Sequence, residues 1–303
     1  MLSIIIVSWN VRNILAQCLD SISQFPPNYR YEVWVVDNAS TDGTCQLLDQ
    51  EYPDVHLLEN PENVGFAQAN NQAIEKSTGK YVLLLNPDTV ICRGALSQLV
   101  EVMEEKPRSG AVGSLLLNPD RSFQTSCYPF PTLTREFWRL LHLDRIYPYG
   151  VYAQEKWDRQ QMRQVDVIQG ASLLLRRSAL DQVGLLDPGF FMYTEEVDLC
   201  FRLKQAGWES WWVPQAEIIH YGGQSTHQVA GDMFIQLYQS KIRFFRKNYG
   251  RLSAMAYKCV VFGTACLRLA VSPFAWLINP SSREENSTLR RHYARLVQDL
   301  PGL

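Results

Sequence analysis

The sequence predicts an α/β fold: a mostly parallel central sheet flanked by helices, followed by a C-terminal helical extension. Two observations carry that prediction. Apolar runs short enough to be fully buried strands alternate with stretches of helical periodicity through the first third of the chain. Polar residues then collect directly after those runs, where open α/β sheets place their ligands.

Leu2 to Val7 predicts the first strand. Ile14, Leu15, Cys18, Leu19 and Ile22 recur at helical spacing behind Asn10, which is placed to cap that helix. Val33 to Val36 and Val55 to Leu58 read as the next strands, with a helix over Thr44 to Gln50 between them. Ala67 to Lys76 reads as helix, Tyr81 to Leu85 as a buried strand, and Arg93 to Lys106 as helix. After Leu117 the alternation stops. Ser126 to Gln164, rich in proline, aromatics and mixed charge, reads as an insertion or flexible cover over a site.

An apolar strand resumes over Val165 to Arg176, a helix is expected from Glu195 to Ala206, and two short strands at Glu209 to Val213 and Ile218 to His220. This half is expected to complete the same sheet. From Met233 onward Phe234, Leu237, Tyr238, Ile242, Phe245 and Tyr249 form a helical stripe that Lys241, Arg243, Arg246, Lys247 and Arg251 make basic. Met255 to Ile278 is strongly apolar but interrupted by Lys258, Arg268 and Pro273, so it is expected to fall short of an uninterrupted span of roughly 18 residues. A helix in the membrane interface and a helix packed on the domain both fit that pattern.

With 303 residues and 46% hydrophobic composition the chain can bury one large core or two modest ones. A formal net charge of −2, with acids and bases interspersed, gives no reason to expect nucleic acid as a partner. Seven cysteines without a Cys-x-x-Cys pair suit a reducing compartment and packing roles. The first apolar run lacks the basic region and small-residue cleavage site of a signal peptide, so none is expected.

Three carboxylates, Glu195, Glu196 and Asp198, crowd within four positions after an aromatic cluster. Repulsion and desolvation both raise the cost of ionising them, which points to a function, while the first turn of a helix favours negative charge without one. Asp37 ends a strand, where a carboxylate can accept hydrogen bonds from a nucleobase or ribose; the residues after it, Asn38, Ser40 and Asp42, also suit a turn and a helix cap. Asn86-Pro87-Asp88 offers oxygen ligands for Mg²⁺ or Mn²⁺ bound jointly with phosphates, and is equally a common turn. His220 stands at a strand end before Gly222 and Gly223, as a metal ligand or as a structural histidine. Trp208, Trp211 and Trp212 are core residues or a sugar-stacking surface. Neither a Gly-x-Gly-x-x-Gly nor a Gly-Lys-Ser/Thr loop is present, which argues against dinucleotide oxidoreduction and nucleoside triphosphatase chemistry.

In series, these segments strongly resemble glycosyltransferase family 2, in the rhamnosyltransferase-like branch of the GT-A fold, which is Rossmann-like. The landmarks are Ile-Val-Ser-Trp-Asn from Ile6, Val-Asp-Asn-Ala-Ser-Thr-Asp-Gly from Val36, Asn-x-Gly-Phe-Ala-x-Ala-Asn-Asn from Asn63, Leu-Leu-Asn-Pro-Asp ending at Asp88, Gly170 to Arg177, the acidic segment and His-x-Gly-Gly-x-Ser from His220. The resemblance runs from about Leu2 to Gln224. It implies a catalytic domain over 1–225, with a nucleotide-binding half (1–117) and an acceptor half (118–225); the residues beyond the resemblance, 226–303, read from their own pattern as a C-terminal helical region that either associates with a membrane or packs on the domain.

The resemblance further implies that Asp37 contacts the base of a nucleotide-diphosphate sugar, a dTDP-rhamnose-like or UDP-sugar donor, in a site lined by Ser8, Asn10, Asn38, Asn63, Gly65, Asn70, Asn86 and Asp88. Asp88 and His220 would hold Mg²⁺ or Mn²⁺. Glu196 would be the general base, with Glu195 its rival, and Asp198 with Arg202 would orient them. Asn86 stands where the family's metal motif has a first carboxylate, and Glu196 where an aspartate is commoner. The expected activity is inverting sugar transfer to a lipid-linked or polysaccharide hydroxyl at the inner face of the cytoplasmic membrane. A catalytically impaired nucleotide-sugar-binding subunit is the alternative.

Overall fold

The computed structural model describes residues 1–278 and 283–303, and side chains outside 272–285; positions 279–282 of the expected C-terminal helical region and the side chain of Pro273 lie outside the described residues. The strands are β1 (Leu2–Ser8), β2 (Tyr31–Asp37), β3 (His56–Glu59), β4 (Tyr81–Leu85), β5 (Thr89–Ile91) and β6 (Ser109–Leu117). They continue with β7 (Phe123–Gln124), β8 (Cys127–Tyr128), β9 (Arg163–Val165), β10 (Val167–Ile168), β11 (Ser172–Arg176) and β12 (Glu209–His220). The helices are α1 (Arg12–Gln24), α2 (Thr44–Glu51), α3 (Phe66–Lys76), α4 (Ala95–Glu105) and α5 (Leu133–Leu140). After them come α6 (Arg177–Val183), α7 (Glu195–Gln205), α8 (Ala230–Tyr249), α9 (Arg251–Ile278) and α10 (Arg283–Asp299).

By its contacts the chain divides into two compact units: Met1–Phe130, Tyr152–Phe191 and Glu195–Gln228 in the first, Pro131–Val151, Met192–Thr194 and Val229–Leu303 in the second. The first unit contains a ten-stranded sheet in the order β3-β2-β1-β4-β11-β6-β12-β5, with β7 beside β6 and β9 beside β12. β3, β2, β1 and β4 run parallel, as do β6 and β12, while β11 and β5 are antiparallel to their neighbours. This is the mostly parallel, helix-flanked sheet the alternation predicts, and the second half of the chain does complete it.

Why the strands read as continuous apolar runs is visible in their faces. Ile4 and Ile6 of β1 with Leu83 and Leu85 of β4 join the core under α1 and α4, while Ile5 and Val7 with Val82 and Leu84 join the core under α3, α6 and α7. Both faces are therefore covered, which removes any reason for polar residues to alternate.

Several boundaries differ from expectation. The strand expected from Val165 to Arg176 is broken into the last residue of β9, β10 and β11, with breaks at Asp166 and at Gln169–Ala171. Conversely, the two strands expected over 209–220 are one, β12, whose pairing with β6 shifts register between Val213 and Glu217. Pro214 sits in that shift: a residue without an N–H is tolerated at such an irregularity. Asn10 does not cap α1; its backbone is left-handed (φ 51°), and its side-chain oxygen accepts from the Thr41 amide at 2.7 Å instead. Trp212 is fully buried against Trp157, and Trp211 and Trp208 pack on the two cores, so the tryptophans are core residues.

The second unit contains α5, α8, α9 and α10, with α9 packed against the other three. Its core includes Tyr238, Ile242, Phe245, Tyr257, Val261 and Leu296. Within that core Glu136 of α5, 1% exposed, is held by Lys241 at 2.7 Å, Arg139 at 3.5 Å and the Tyr257 hydroxyl at 3.3 Å. Burial alone would raise the Glu136 pKa, but the Lys241 and Arg139 charges outweigh it and hold the carboxyl below its ordinary value. Contrary to the sequence expectation, Arg251–Val271 of α9 is long and apolar enough to cross a membrane by length and composition, and 28% of an apolar 18-residue window within it is buried.

Removing Glu136 leaves Lys241 mostly buried and without its carboxylate. Glu136→Ala should therefore cost about 3–5 kcal/mol in urea unfolding, and the double replacement Glu136→Leu, Lys241→Met should cost less than the single one. Because the Glu136 pKa is depressed on folding, its contribution is present at neutral pH and should fade as the pH falls through the carboxylate range.

Candidate active site

The site is assembled at the carboxyl ends of β1, β2 and β4. Register fixes this: Ser8 pairs with Asp37, and Ile6 with Leu85, so Ser8, Asp37 and the Asn86–Asp88 turn emerge along one edge of the sheet. Asp37, 2% exposed, accepts from the Ser40 amide through Oδ2 at 2.8 Å, while its Oδ1 and the hydroxyl of Ser8 are buried without a partner. Buried acceptors left unsatisfied in a protein interior are costly, and an orphan pair at a strand tip suits a polar ligand.

The loop into α3 presses on this edge. Asn38 Nδ2 donates to the Gly65 carbonyl at 3.3 Å, Asn63 Oδ1 accepts from the Gly65 amide at 3.0 Å, and the Phe66 amide donates to the Phe191 carbonyl at 2.7 Å. Gly65 has a left-handed backbone (φ 84°), and a Cβ there would lie 2.4 Å from Phe191 O. Only glycine permits that approach. Gly65 thus joins the loop into α3 to the segment that leads into α7, a packing role within the site. Asn70 donates to the Phe66 carbonyl at 2.8 Å and leaves its own Oδ1 buried without a partner.

Asp88 and His220 come together, both 4% exposed, with Asp88 Oδ1 3.2 Å from His220 Nε2 and Asn86 Nδ2 3.4 Å from the same nitrogen. A hydrogen-bond chain assigns the ring's tautomer. The Phe123 carbonyl accepts from Asn118 Nδ2 at 3.2 Å, which turns Asn118 Oδ1 toward Gln124 Nε2 at 2.9 Å. Gln124 Nε2 also donates to the His220 carbonyl at 3.1 Å, so Gln124 Oε1 faces His220 Nδ1 at 2.7 Å. Nδ1 therefore carries a proton, so that in its neutral form the ring presents its Nε2 lone pair beside a carboxylate. Two acceptors so close are satisfied by a proton or by a cation, and one imidazole with one carboxylate suits a divalent ion whose remaining positions go to phosphate or water. Among the described residues no group of three or more His, Cys, Asp or Glu forms a larger metal cluster.

The acidic segment resolves into unequal members. Glu195, Glu196 and Asp198 occupy the first turn of α7, where the helix dipole favours negative charge, directly after the left-handed Tyr193 and Thr194. Asp198 is fully buried and bound by Arg202 at 2.9 Å, and the same guanidinium donates to the carbonyls of Val183, Gly184 and Leu185 at 2.6, 3.0 and 2.7 Å. The pair, with Asp198 buried and Arg202 half-buried, thus ties α7 to the turn before it. Glu195 is buried with Oε2 unsatisfied, and burial first, then the Glu196 charge, raises its pKa well above the ordinary value. Glu196 is half-buried.

Sequence reasoning missed Gln124 and the Phe191 carbonyl. Gln124 belongs to no motif, and only the pairing of β7 with β6 brings it to His220.

Glu195 holds its proton more tightly folded than unfolded, so its contribution to stability is present in acid and lost as the pH rises through the folded pKa. Glu195→Gln should accordingly raise the melting temperature at neutral and alkaline pH and leave it little changed in acid. An unchanged difference across a pH series of thermal melts would contradict that assignment.

The sequence profile of Glycosyl transferase family 2 matches residues 3–184. The chain is 37% identical over 209 residues to an N-acetylglucosaminyl-diphospho-decaprenol L-rhamnosyltransferase of Mycobacterium tuberculosis, covering 64% of this chain and 67% of that one. It is 25% identical over 273 residues to the rhamnosyltransferase WbbL of Escherichia coli K12, covering 84% of this chain and 99% of the relative. Among solved structures, the mannosyltransferase PcManGT from Pyrobaculum calidifontis, in complex with GDP-Man and Mn²⁺, superposes with a TM-score of 0.60 at 20% identity, over 98% of this chain and 84% of that one. GalNAc-T7 with UDP, GalNAc and Mn²⁺ gives 0.58 at 15% identity, over 81% and 47%. The sheet order and flanking helices are those of the GT-A fold, and the chain belongs to glycosyl transferase family 2, as a rhamnosyltransferase-like glycosyltransferase of polysaccharide biosynthesis.

Proposed function

We propose that the protein transfers a sugar, with inversion, from a nucleoside-diphosphate sugar to a hydroxyl of a lipid-linked or polysaccharide acceptor. The observation that carries the reading is the buried Asp88–His220 pair, its ring oriented by Gln124, beside the orphaned acceptors of Ser8 and Asp37. A relative named for a diphospho-decaprenol acceptor and two structural neighbours solved with nucleotides and Mn²⁺ support the same substrate classes.

In this reading Asp37 accepts from the base or ribose of the donor, and Asn38, Asn63 and Asn70 hold the loops that surround it. Asp88 and His220 hold Mg²⁺ or Mn²⁺. When bound, the ion supplies charge neutralisation for the departing diphosphate. Glu196, on the half-exposed side of the doublet, takes the proton from the acceptor hydroxyl as that oxygen attacks the anomeric carbon in line. Glu195, whose pKa is raised by burial and by the Glu196 charge, is the poorer candidate because it is the harder of the two to ionise. Asp198 and Arg202 fix the first turn of α7, so the added methylene of a glutamate base reaches from a rigid helix. A binding subunit without turnover has no observation in its favour, since the acid pair and the carboxylate–imidazole pair are all present.

The same reading places the enzyme at the inner face of the cytoplasmic membrane, in peripheral contact through the apolar outer face of α9, where Leu252, Met255 and Phe262 are exposed.

Glu196→Gln should lower kcat for transfer by about 10²–10⁴-fold while leaving donor affinity unchanged. Asp88→Ala should instead abolish the Mn²⁺-dependent part of donor binding, read by thermal shift across a nucleotide-sugar panel. Full transfer by the Glu196→Gln protein would remove it as the base.

A further inference from the structure

The second unit holds a cavity of about 370 Å³ with a cationic wall. Arg139, Arg145, Lys241 and Arg268 line it against two carboxylates, Glu136 and Asp144. Glu136 is engaged by Lys241 and Arg139, and Asp144 accepts from the Gly150 amide at 2.8 Å. Arg268 has only neutral acceptors among the described residues: the Leu140 carbonyl at 2.6 Å, His142 Nε2 at 2.7 Å and the Tyr293 hydroxyl. Because His142 Nε2 accepts that bond, the ring adds no charge of its own; burial, with the Arg268 and Arg145 charges, holds it below the ordinary imidazole range. Two positive charges are thus left over: Arg145 is exposed, while Arg268 is half-buried, where a guanidinium without an anion is poorly compensated.

A second cavity, of about 330 Å³, shares Leu140, His142, Arg268 and Tyr293 with the first and is otherwise walled mainly by the apolar Leu141, Leu267, Leu269, Val271 and Leu289, with Thr264, Asn286 and Arg290 among them. One arm of the combined space calls for an anion and the other for a hydrocarbon. A free phosphate would leave the apolar arm unused, and a neutral lipid would leave Arg268 without a counter-charge.

The geometry points to a site for a prenyl-linked diphosphate, its phosphates at Arg268 and Arg145 and its chain in the apolar arm, which makes the second unit the holder of a lipid-linked acceptor. That it binds such a molecule follows from the cavities alone; that the molecule is the acceptor rests on the glycosyl-transfer reading above. Fork-shaped guanidinium donors match phosphate oxygens, and joining the two fragments in one molecule makes the second contact intramolecular.

Farnesyl diphosphate, farnesol and inorganic diphosphate, each titrated calorimetrically into the full-length protein, test the site. Farnesyl diphosphate should bind about ten-fold or more tighter than either fragment, and Arg268→Gln should weaken it by about ten-fold while leaving farnesol unaffected. Arg145→Glu, at an exposed position that leaves the fold intact, should weaken it likewise. Asp88→Ala should bind farnesyl diphosphate as the wild type does. Farnesol or inorganic diphosphate binding as tightly as farnesyl diphosphate, both arginine variants binding normally, or loss of binding in Asp88→Ala would each overturn the proposal. If these results hold while Asp88→Ala and Glu196→Gln retain full transfer, the prenyl diphosphate site stands and the transfer mechanism falls.

Discussion

The site depends on the in-register parallel pairing of β2, β1 and β4. All three strands are sealed on both faces, so a slip of one residue would exchange the residues under α1 and α4 with those under α3, α6 and α7. That constraint holds Ser8 beside Asp37 and brings the Asn86–Asp88 turn out on the same edge. The acidic helix is brought in by a second, shorter-range device. Gly65 lacks the side chain that would collide with Phe191, and the Phe66–Phe191 hydrogen bond anchors the chain four residues before Glu195. The Asp37 edge and the acidic helix are therefore joined through backbone contacts.

Electrostatics then divides the labour among groups that look alike in sequence. Asp198 is neutralised by Arg202, whose remaining donors bind three carbonyls, so this acid serves structure. Glu195 is buried and hard to ionise, while Glu196 reaches partial solvent from the same helical turn. His220 is an ordinary histidine until Gln124 fixes which nitrogen carries the proton and thereby leaves the other free to act as a ligand.

Where the sequence was legible, the physics was local. β4 is a run of five buried apolar residues, and its bounds, Tyr81–Leu85, are those its composition predicts. The pattern over 209–220 predicts two strands, yet β12 passes through Pro214 as one strand by shifting register against β6. The segment after Leu117 was opaque for a different reason. Its elements are short, and what stabilises them is remote: Glu136 is a buried carboxylate only because Lys241, 105 positions later, meets it. No periodicity encodes that pairing. Motif residues such as Asp37, Asp88 and His220 were found from their strand-end positions and the family resemblance, whereas Gln124 carries no signature until the sheet forms.

The proposal that Asp88 and His220 hold a divalent ion with the donor can be tested by anomalous diffraction at the manganese edge, from crystals grown with Mn²⁺ and a nucleoside diphosphate. A single strong peak is expected within coordination distance of both the Asp88 carboxylate and His220 Nε2. Manganese bound elsewhere, or nucleotide bound in the site with no peak between those two side chains, would contradict it.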